Sequence, residues 1–594
     1  MPRDPLVLPA VKGVFTLTST TQGLVTPGRS ANRDAHGGDI RGALGTISLD
    51  DTGARTSMPA RLKTLLAIVG PGVIVMVGDN DAGAFSTYGQ AGQSYGTRLL
   101  WTFLLLVPVL YVNQEMVLRL GAVTGVGYAK LILERFGRFW GAFSVINLFV
   151  LNALTIVTEF IGIALAASYL GVPKIVAVGL ASLVIVLAAS TGSLRRFERM
   201  AMALCAGSLL LVPVYVLAHP PVGQMARGFT IPTIPGGSGQ LATVMLLVIG
   251  IVGTTVAPWQ LFFQQSYIID KRITPRFMRY EKADLWLGIV IVVIGGGALM
   301  GATAAAFAGA RHVPFTDAAG LAAGLSAYAG HAAGALFAVA LLDASMIGAF
   351  AVSLSTAYAV GDMLGLKHSL HRGVKQAKGF YAMYAALIAI AAAIVLLPGS
   401  PLGLLTEGVQ VLAGVLLPSA TVFLLLLCND KEVLGPWVNG RATNVLAAIV
   451  VGVLVMLSAI LMISVVFGKI SSGQVIAIMG GCVAAAVLTG GFLLLRRWRS
   501  GRGAAAVRPK LAGRRPGQLT SAARNKSAAS KESAASKESA ARSEKDNWRM
   551  PPLAMLAPAQ MSVARRVAMS AMWLYLAAAM ILVVVRVVEL AMGG

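Results

Sequence analysis

Apolar runs, each at least about as long as a bilayer is thick, follow one another through most of this chain and leave few choices of fold. A helix crossing hydrocarbon needs about 20 mostly apolar residues. Such runs lie near 63–92, 97–118, 140–170, 174–191, 201–219, 240–268, 285–310, 332–364, 379–397, 402–428, 444–468 and 473–496. A thirteenth, near 567–588, follows a polar stretch. Only 12% of the 594 residues are charged, about half the share in a soluble domain, and 56% are hydrophobic. The fold class expected is an all-α polytopic membrane protein.

The charges set its orientation. If the first helix starts in the cytoplasm, the inner loops hold Arg119, Lys130, Arg135 and Arg138, then Arg195, Arg196 and Arg199. The next inner loops hold Lys271, Arg272, Arg276, Arg279 and Lys282, then Lys367, Arg372, Lys375 and Lys378, then Lys431 and Arg441. The outer loops offer only Arg98, Lys174, Arg227, Arg311 and Lys469. This alternation follows the positive-inside rule and places the N-terminus in the cytoplasm, with the plasma (inner) membrane as the expected location. The net charge of +24 therefore reflects loops and tails that meet anionic lipid, and nucleic acid is not an expected partner. Cys205, Cys428 and Cys482 lie in or beside apolar runs without metal-like spacing and are expected to pack as small apolar side chains.

Four regions follow. Residues 1–58 form a polar, Gly- and Thr-rich tail expected to be disordered, and 59–497 form a twelve-helix core. Residues 498–563 form a low-complexity cytoplasmic linker with the repeat Ser527-Ala-Ala-Ser-Lys-Glu532 and Ser533-Ala-Ala-Ser-Lys-Glu538, and 564–594 an additional membrane helix behind Arg565-Arg566.

Two of the apolar runs are broken in the middle. The first contains Gly70-Pro-Gly-Val-Ile-Val-Met-Val-Gly-Asp-Asn-Asp-Ala-Gly83, the sixth Gly250-Ile-Val-Gly-Thr-Thr-Val-Ala-Pro-Trp-Gln260. Glycine lets the backbone leave the helical region and proline removes a donor. Interrupted segments at matching places in two halves mark a transporter of inverted repeats, here spans 1–5 and 6–10 with two helices appended. Ionised groups in hydrocarbon cost several kcal/mol and are seldom idle. Asp79 and Asp81, beside backbone carbonyls freed at the break, therefore read as a cation site.

At these residues the sequence resembles the NRAMP family of divalent-metal transporters. The resemblance rests on Gly70-Pro-Gly72, Asp81-Ala-Gly-Ala84 and Ala91-Gly-Gln-Ser-Tyr-Gly96 in the first helix. It continues with Gln114-Glu-Met-Val-Leu-Arg-Leu-Gly-Ala-Val-Thr-Gly125, Glu159-Phe-Ile-Gly162, Gln410 and Pro418, over about 62–497. It implies a LeuT-like fold of 5+5 inverted repeats, a metal ion as transported substrate, no cofactor and no enzymatic activity. The family's metal-binding Asp maps to Asp81, but its Asn maps to Ala84 and its Met-Pro-His to Ala257-Pro258-Trp259. Asp79 stands where an aromatic residue is usual, and Ile156 where an acid is usual. These departures resemble the NRAMP-related magnesium transporters.

The chemistry points the same way. A thioether suits softer metals, whereas Mg²⁺ takes oxygen ligands and sheds water reluctantly. The oxygen donors expected are Asp81, Asp79, Asn80, the Ala257 carbonyl, Gln260 and Gln410. Asn80 pointing away, and Gln260 or Gln410 capping loose backbone groups, stay open. All six histidines fall in tails, loops or helix ends, so a dedicated proton route looks broken. Glu159 is open between proton carrier and buried hydrogen-bonding acid, and Asp343 between packing and support for the site. Glu115 is expected to pair with Arg119 across one helical turn.

The function expected is uptake of Mg²⁺, with Mn²⁺ tolerated, by alternating access within the lipid bilayer. The rivals are a proton-coupled Mn²⁺/Fe²⁺ symporter, a Na⁺-coupled carrier of organic solutes on the same fold, and a metal sensor. The oligomeric state is left open.

Overall fold

The structure, a computed structural model, describes residues 37–467 apart from 52, 236–240, 310–313 and 399–401. It then describes 473–481, 545–556 and scattered positions up to 581. The first span is in pieces. Helix α1 (Met58–Ile68) begins at Ser57, whose hydroxyl accepts the Ala60 amide. It ends at Gly70, where φ is 153°, a conformation reserved for glycine. Helix α2 (Pro71–Val77) leaves α1 at 53°. After residues 78–81, α3 (Ala82–Tyr95) completes the crossing.

Then follow α4 (Trp101–Thr124), the short α5 (Tyr128–Phe136), α6 (Arg138–Tyr169), α7 (Lys174–Ala189), and α8 (Leu194–Gly207) running on into α9 (Leu211–Ala218). The short α10 (Val222–Thr230) precedes the sixth span, which consists of α11 (Leu241–Thr255) and α12 (Pro258–Asp270). The rest is α13 (Met278–Ala306), α14 (Ala318–Ala329), α15 (His331–Leu364), α16 (Lys378–Leu396), α17 (Leu402–Cys428), α18 (Lys431–Leu434) and α19 (Arg441–Phe467).

Among the described residues, nine helices are long and apolar enough to cross a membrane, ten if the bent pair α1–α2 is one span. Helix α7 is apolar but only 16 residues long, about 24 Å. Of the run at 473–496, residues 473–481 are helical and most of the remainder lies outside the described residues, as does more than half of 567–588. The fifth span begins at Leu194 rather than 201, because Leu194, Phe197, Ala201 and Cys205 form a buried stripe among the charged residues that lower the local hydropathy.

The long helices α6 and α15 pack side by side, α13 covers α2 and α3, and α11 lies against α17. That last contact is close: a Cβ on Gly253 would stand 2.1 Å from the Gln410 carbonyl oxygen. Apolar side chains such as Ile175, Leu180, Leu183 and Leu187 of α7 face outward, as a lipid-facing surface requires. Cys205 and Cys428 are buried and free, and Cys482 lies outside the described residues.

Two polar regions differ from expectation. Residues 37–58 are not a disordered tail: Ile40–Arg41 (β1) and Thr46–Ile47 (β2) pair as an antiparallel hairpin held by helix α8. Residues 1–36 lie outside the described residues. The end of the linker is docked too, with Trp548 against Gly435 and the Trp437 indole donating to the Lys545 carbonyl at 2.8 Å. The six-residue repeat itself lies outside the described residues. Glu115 pairs with Arg119 at 3.0 Å as its spacing predicts, and also with Lys282 at 2.9 Å. Lys271, counted above among loop charges, is fully buried.

In the loop after α15, His368 Nε2 lies 3.1 Å from Asp362 Oδ1. Burial alone would lower the His368 pKa, but the hydrogen bond and charge of Asp362 outweigh it and raise it above 6.5. A raised folded-state pKa gives stability that is complete below about pH 6.5 and is lost as pH rises through the folded-state value. Asp362→Asn is therefore expected to lower the melting temperature more at about pH 5.5 than at about pH 8.5. Thermal unfolding in detergent at the two pH values checks this, and equal losses would contradict it.

Candidate cation site

The two broken spans meet at the centre of the helix bundle. Residues 78–81 turn tightly, Asp79 N bonding to the Met76 carbonyl at 3.2 Å and Asn80 N to Val77 at 3.1 Å. Among the described residues, no backbone amide donates to the carbonyls of Asp79 and Asn80. The chain re-enters a helix at Asp81, whose Oδ1 caps α3 by accepting the Ala84 amide at 2.9 Å. In the sixth span the break is shorter: Ala257 is extended, and Pro258 opens α12.

Gln260 lies directly on Asp79. Its amide nitrogen donates to Asp79 Oδ1 and, at 3.1 Å, to the Thr255 carbonyl, while its carbonyl accepts Gln114 Nε2 at 2.8 Å. Two pure acceptors on the nitrogen side fix which way this amide faces. Asp79 Oδ2 is left without a partner, and the residue is fully buried.

Asp81 meets Glu159 of α6. The two side chains lie side by side, and Glu159 Oε2 accepts the Ala82 amide at 3.2 Å. Glycine makes room for this contact: a Cβ on Gly348 of α15 would stand 2.6 Å from Glu159 Oε2 and 3.1 Å from Asp81 Cβ. Gln410 of α17 reaches the first turn of α3, where only glycine at 83 leaves space for its amide, whose nitrogen has no partner. The structure thus gathers Asp79, Asp81, Gln260 and Gln410 around the first break.

Two expected donors are placed differently. The Ala257 carbonyl accepts the Gln260 amide N–H at 3.3 Å in the opening turn of α12. Asn80 turns to the opposite side, into a small cavity of about 10 Å³ lined by Ser208, Leu211 and Asp343 among others, and both of its amide atoms lack partners. Where the sequence comparison would place a histidine, the buried Trp259 ring lies against Gly78 and walls the break. Sequence reasoning missed Gln114, the Tyr88–Thr255 hydroxyl pair at 2.6 Å and Asp284, which caps α2 from α13. Only Gln114 had a signal, its place in the second-helix motif.

Among the described residues, no group of three or more His, Cys, Asp or Glu side chains forms a ready-made metal cage. What the geometry offers is carboxylate oxygen, two groups on an unwound segment and a third beside one of them, next to two amides whose nitrogens face the break. The fold and this site define a polytopic carrier whose first and sixth spans break around a polar centre. The chain belongs to the Nramp family, described as natural resistance-associated macrophage protein-like, whose profile matches residues 72–464.

Two relatives are each named divalent metal cation transporter MntH. The one from Ralstonia nicotianae is 30% identical over 400 residues, covering 65% of this chain and 88% of its own. The one from Klebsiella pneumoniae is 26% identical over 427 residues, covering 70% and 98%. The crystal structure of the Eremococcus coleocola manganese transporter in complex with an aromatic bis-isothiourea substituted compound matches with TM-score 0.54. It is 22% identical and covers 76% of this chain and 98% of that one, a likeness of fold.

Proposed function

We propose that this protein carries divalent metal cations, Mg²⁺ preferred and Mn²⁺ tolerated, into the cytoplasm by alternating access, without a dedicated proton relay. One observation carries the reading: two carboxylates, Asp79 and Asp81, sit on unwound backbone at the first break, with a third carboxyl, Glu159, beside them. Hard cations favour such a set, and Mg²⁺ is bound through one or two carboxylates while keeping several waters. The relatives named for divalent metal transport support the class of cargo. Ala257 and Trp259, in place of a soft ligand and a titratable ring, support the preference within it.

The protein is placed in the plasma membrane with its N-terminus in the cytoplasm, as the loop charges indicate. At 100 mV, inside negative, a doubly charged ion gains about 4.6 kcal/mol on moving inward, enough to drive uptake without a second ion.

The Asp81–Glu159 contact favours a second reading. Two buried carboxyl groups this close cannot both ionise cheaply, which favours one proton held at the pair. A cation arriving at Asp81 could displace that proton, which would couple metal and proton without a histidine. Reconstituted vesicles carrying an internal Mg²⁺ dye and an internal pH probe separate the readings. Mg²⁺ influx at constant internal pH is expected. Internal pH changes in step with metal would favour the coupled reading, and no Mg²⁺ or Mn²⁺ flux would overturn both.

A further inference from the structure

The sharpest structure outside the cation site is a buried polar knot at the far end of α2. Lys271, just past α12, is fully buried and spends all three ammonium protons there. It donates to the Ile68 carbonyl at 2.6 Å, the Val69 carbonyl at 3.0 Å and Glu198 Oε1 at 2.5 Å. Asp284 holds the other side of the bend, accepting the amides of Gly70, Gly72 and Val73 at 3.2, 2.6 and 3.4 Å. The Gly70 bend is thus gripped from α8, α12 and α13 at once, its last carbonyls by a cation and its first free amides by an anion.

The hairpin at residues 40–47 completes the knot. Ala43 N donates to Glu198 Oε2 at 2.9 Å, the oxygen Lys271 leaves free. Arg195 donates to the Gly42 carbonyl at 3.1 Å and the Gly45 carbonyl at 3.2 Å, and Arg199 to the Ala43 carbonyl at 3.1 Å. Strands of two residues have no stability of their own. This hairpin therefore exists because the knot holds it, and by the same contacts it shields the knot from water.

We infer that the hairpin, Glu198 and Lys271 form a lock that positions α2, and through α2 the carboxylates of residues 79 and 81. Helix α2 is a single rod of seven residues between the Gly70 bend and the break at 78–81, so a swing at one end moves the other. Glu281, three residues before Asp284 on α13, is fully buried with both carboxylate oxygens unpartnered. Glu198 and Lys271 act as positioning residues and touch no cargo. The inference rests on the transport reading only for what the site carries.

Gly42→Ala tests it in the full chain. The added Cβ would stand 2.1 Å from the Ala67 carbonyl oxygen and 3.2 Å from Lys271 Nζ, so the hairpin must lift off the knot, while no residue of the knot is itself replaced. Gly53→Ala, whose Cβ meets only ordinary contacts, is the control. Hydrogen–deuterium exchange in lipid nanodiscs without added metal is the readout. Gly42→Ala is expected to speed exchange about tenfold in residues 40–47 and also in 66–77, with α6 and α15 unchanged.

Faster exchange in the hairpin alone would overturn the lock. Should the hairpin not lift, the double variant Arg195→Ala, Arg199→Ala decides by the same comparison. A wild-type protein that fails to move metal in vesicles would overturn the transport reading and leave this readout standing.

Discussion

Asp81→Asn is expected to cut initial Mg²⁺ uptake by about 100-fold or more while leaving the protein folded. Asparagine caps a helix about as well as aspartate, so the bond from the Ala84 amide survives, and the two side chains are of equal size. What disappears is the charge that holds the cation in the proposed function. Removing one partner of a buried charge pair costs about 3–5 kcal/mol. That corresponds to at least about 100-fold in affinity.

Asp79→Asn is expected to fall less, about tenfold, because its remaining carbonyl oxygen still accepts Gln260. Dye-reported influx into vesicles for the three proteins, with melting temperatures alongside, checks the order. Uptake by Asp81→Asn within about threefold of wild type would remove Asp81 from the pathway.

The spans, their two interruptions and the place of Asp81 at the first of them were legible because each has a local signature. An apolar run shows its length, a Gly-Pro-Gly shows a broken helix, and an intramembrane carboxylate shows a functional site. Asn80 was not legible, because a four-residue break has no periodicity from which to read a side chain's direction. The hairpin was missed for another reason. Residues 37–47 read as a tail because their partners Arg195, Glu198 and Arg199 lie about 150 positions away, where the same charges read as loop residues facing water.

Lys271 shows the limit of charge patterning. It belongs to a basic loop cluster by sequence, yet two carbonyls of a broken helix and one carboxylate make it a fully buried ion. Among the described residues, neither Asp79 nor Asp81 forms an ion pair with a basic side chain. Their neighbours are Gln260, helix amides and Glu159, and the fully buried Lys271 is committed to the bend at Gly70.

The second large effect concerns selectivity. Ala257→Met is expected to raise the ratio of Cd²⁺ to Mg²⁺ uptake by about tenfold or more. Ala257 is buried at the break of the sixth span, in extended backbone immediately before Pro258, beside the segment that holds Asp79. A thioether there adds one soft ligand to a set otherwise made of oxygen, which favours a soft ion over a hard one. It also takes space that waters around a partly hydrated Mg²⁺ would occupy, so the two effects act in the same direction.

The larger side chain carries a packing cost, typically about 1–3 kcal/mol, so total uptake falls and only the ratio is diagnostic. Competition of Cd²⁺ against a fixed Mg²⁺ concentration, in vesicles of wild type and variant, reads that ratio directly. An unchanged ratio in a folded variant would mean that residue 257 does not face the ion. Selectivity would then have to reside in the first break, with Asp79 as the residue to vary next.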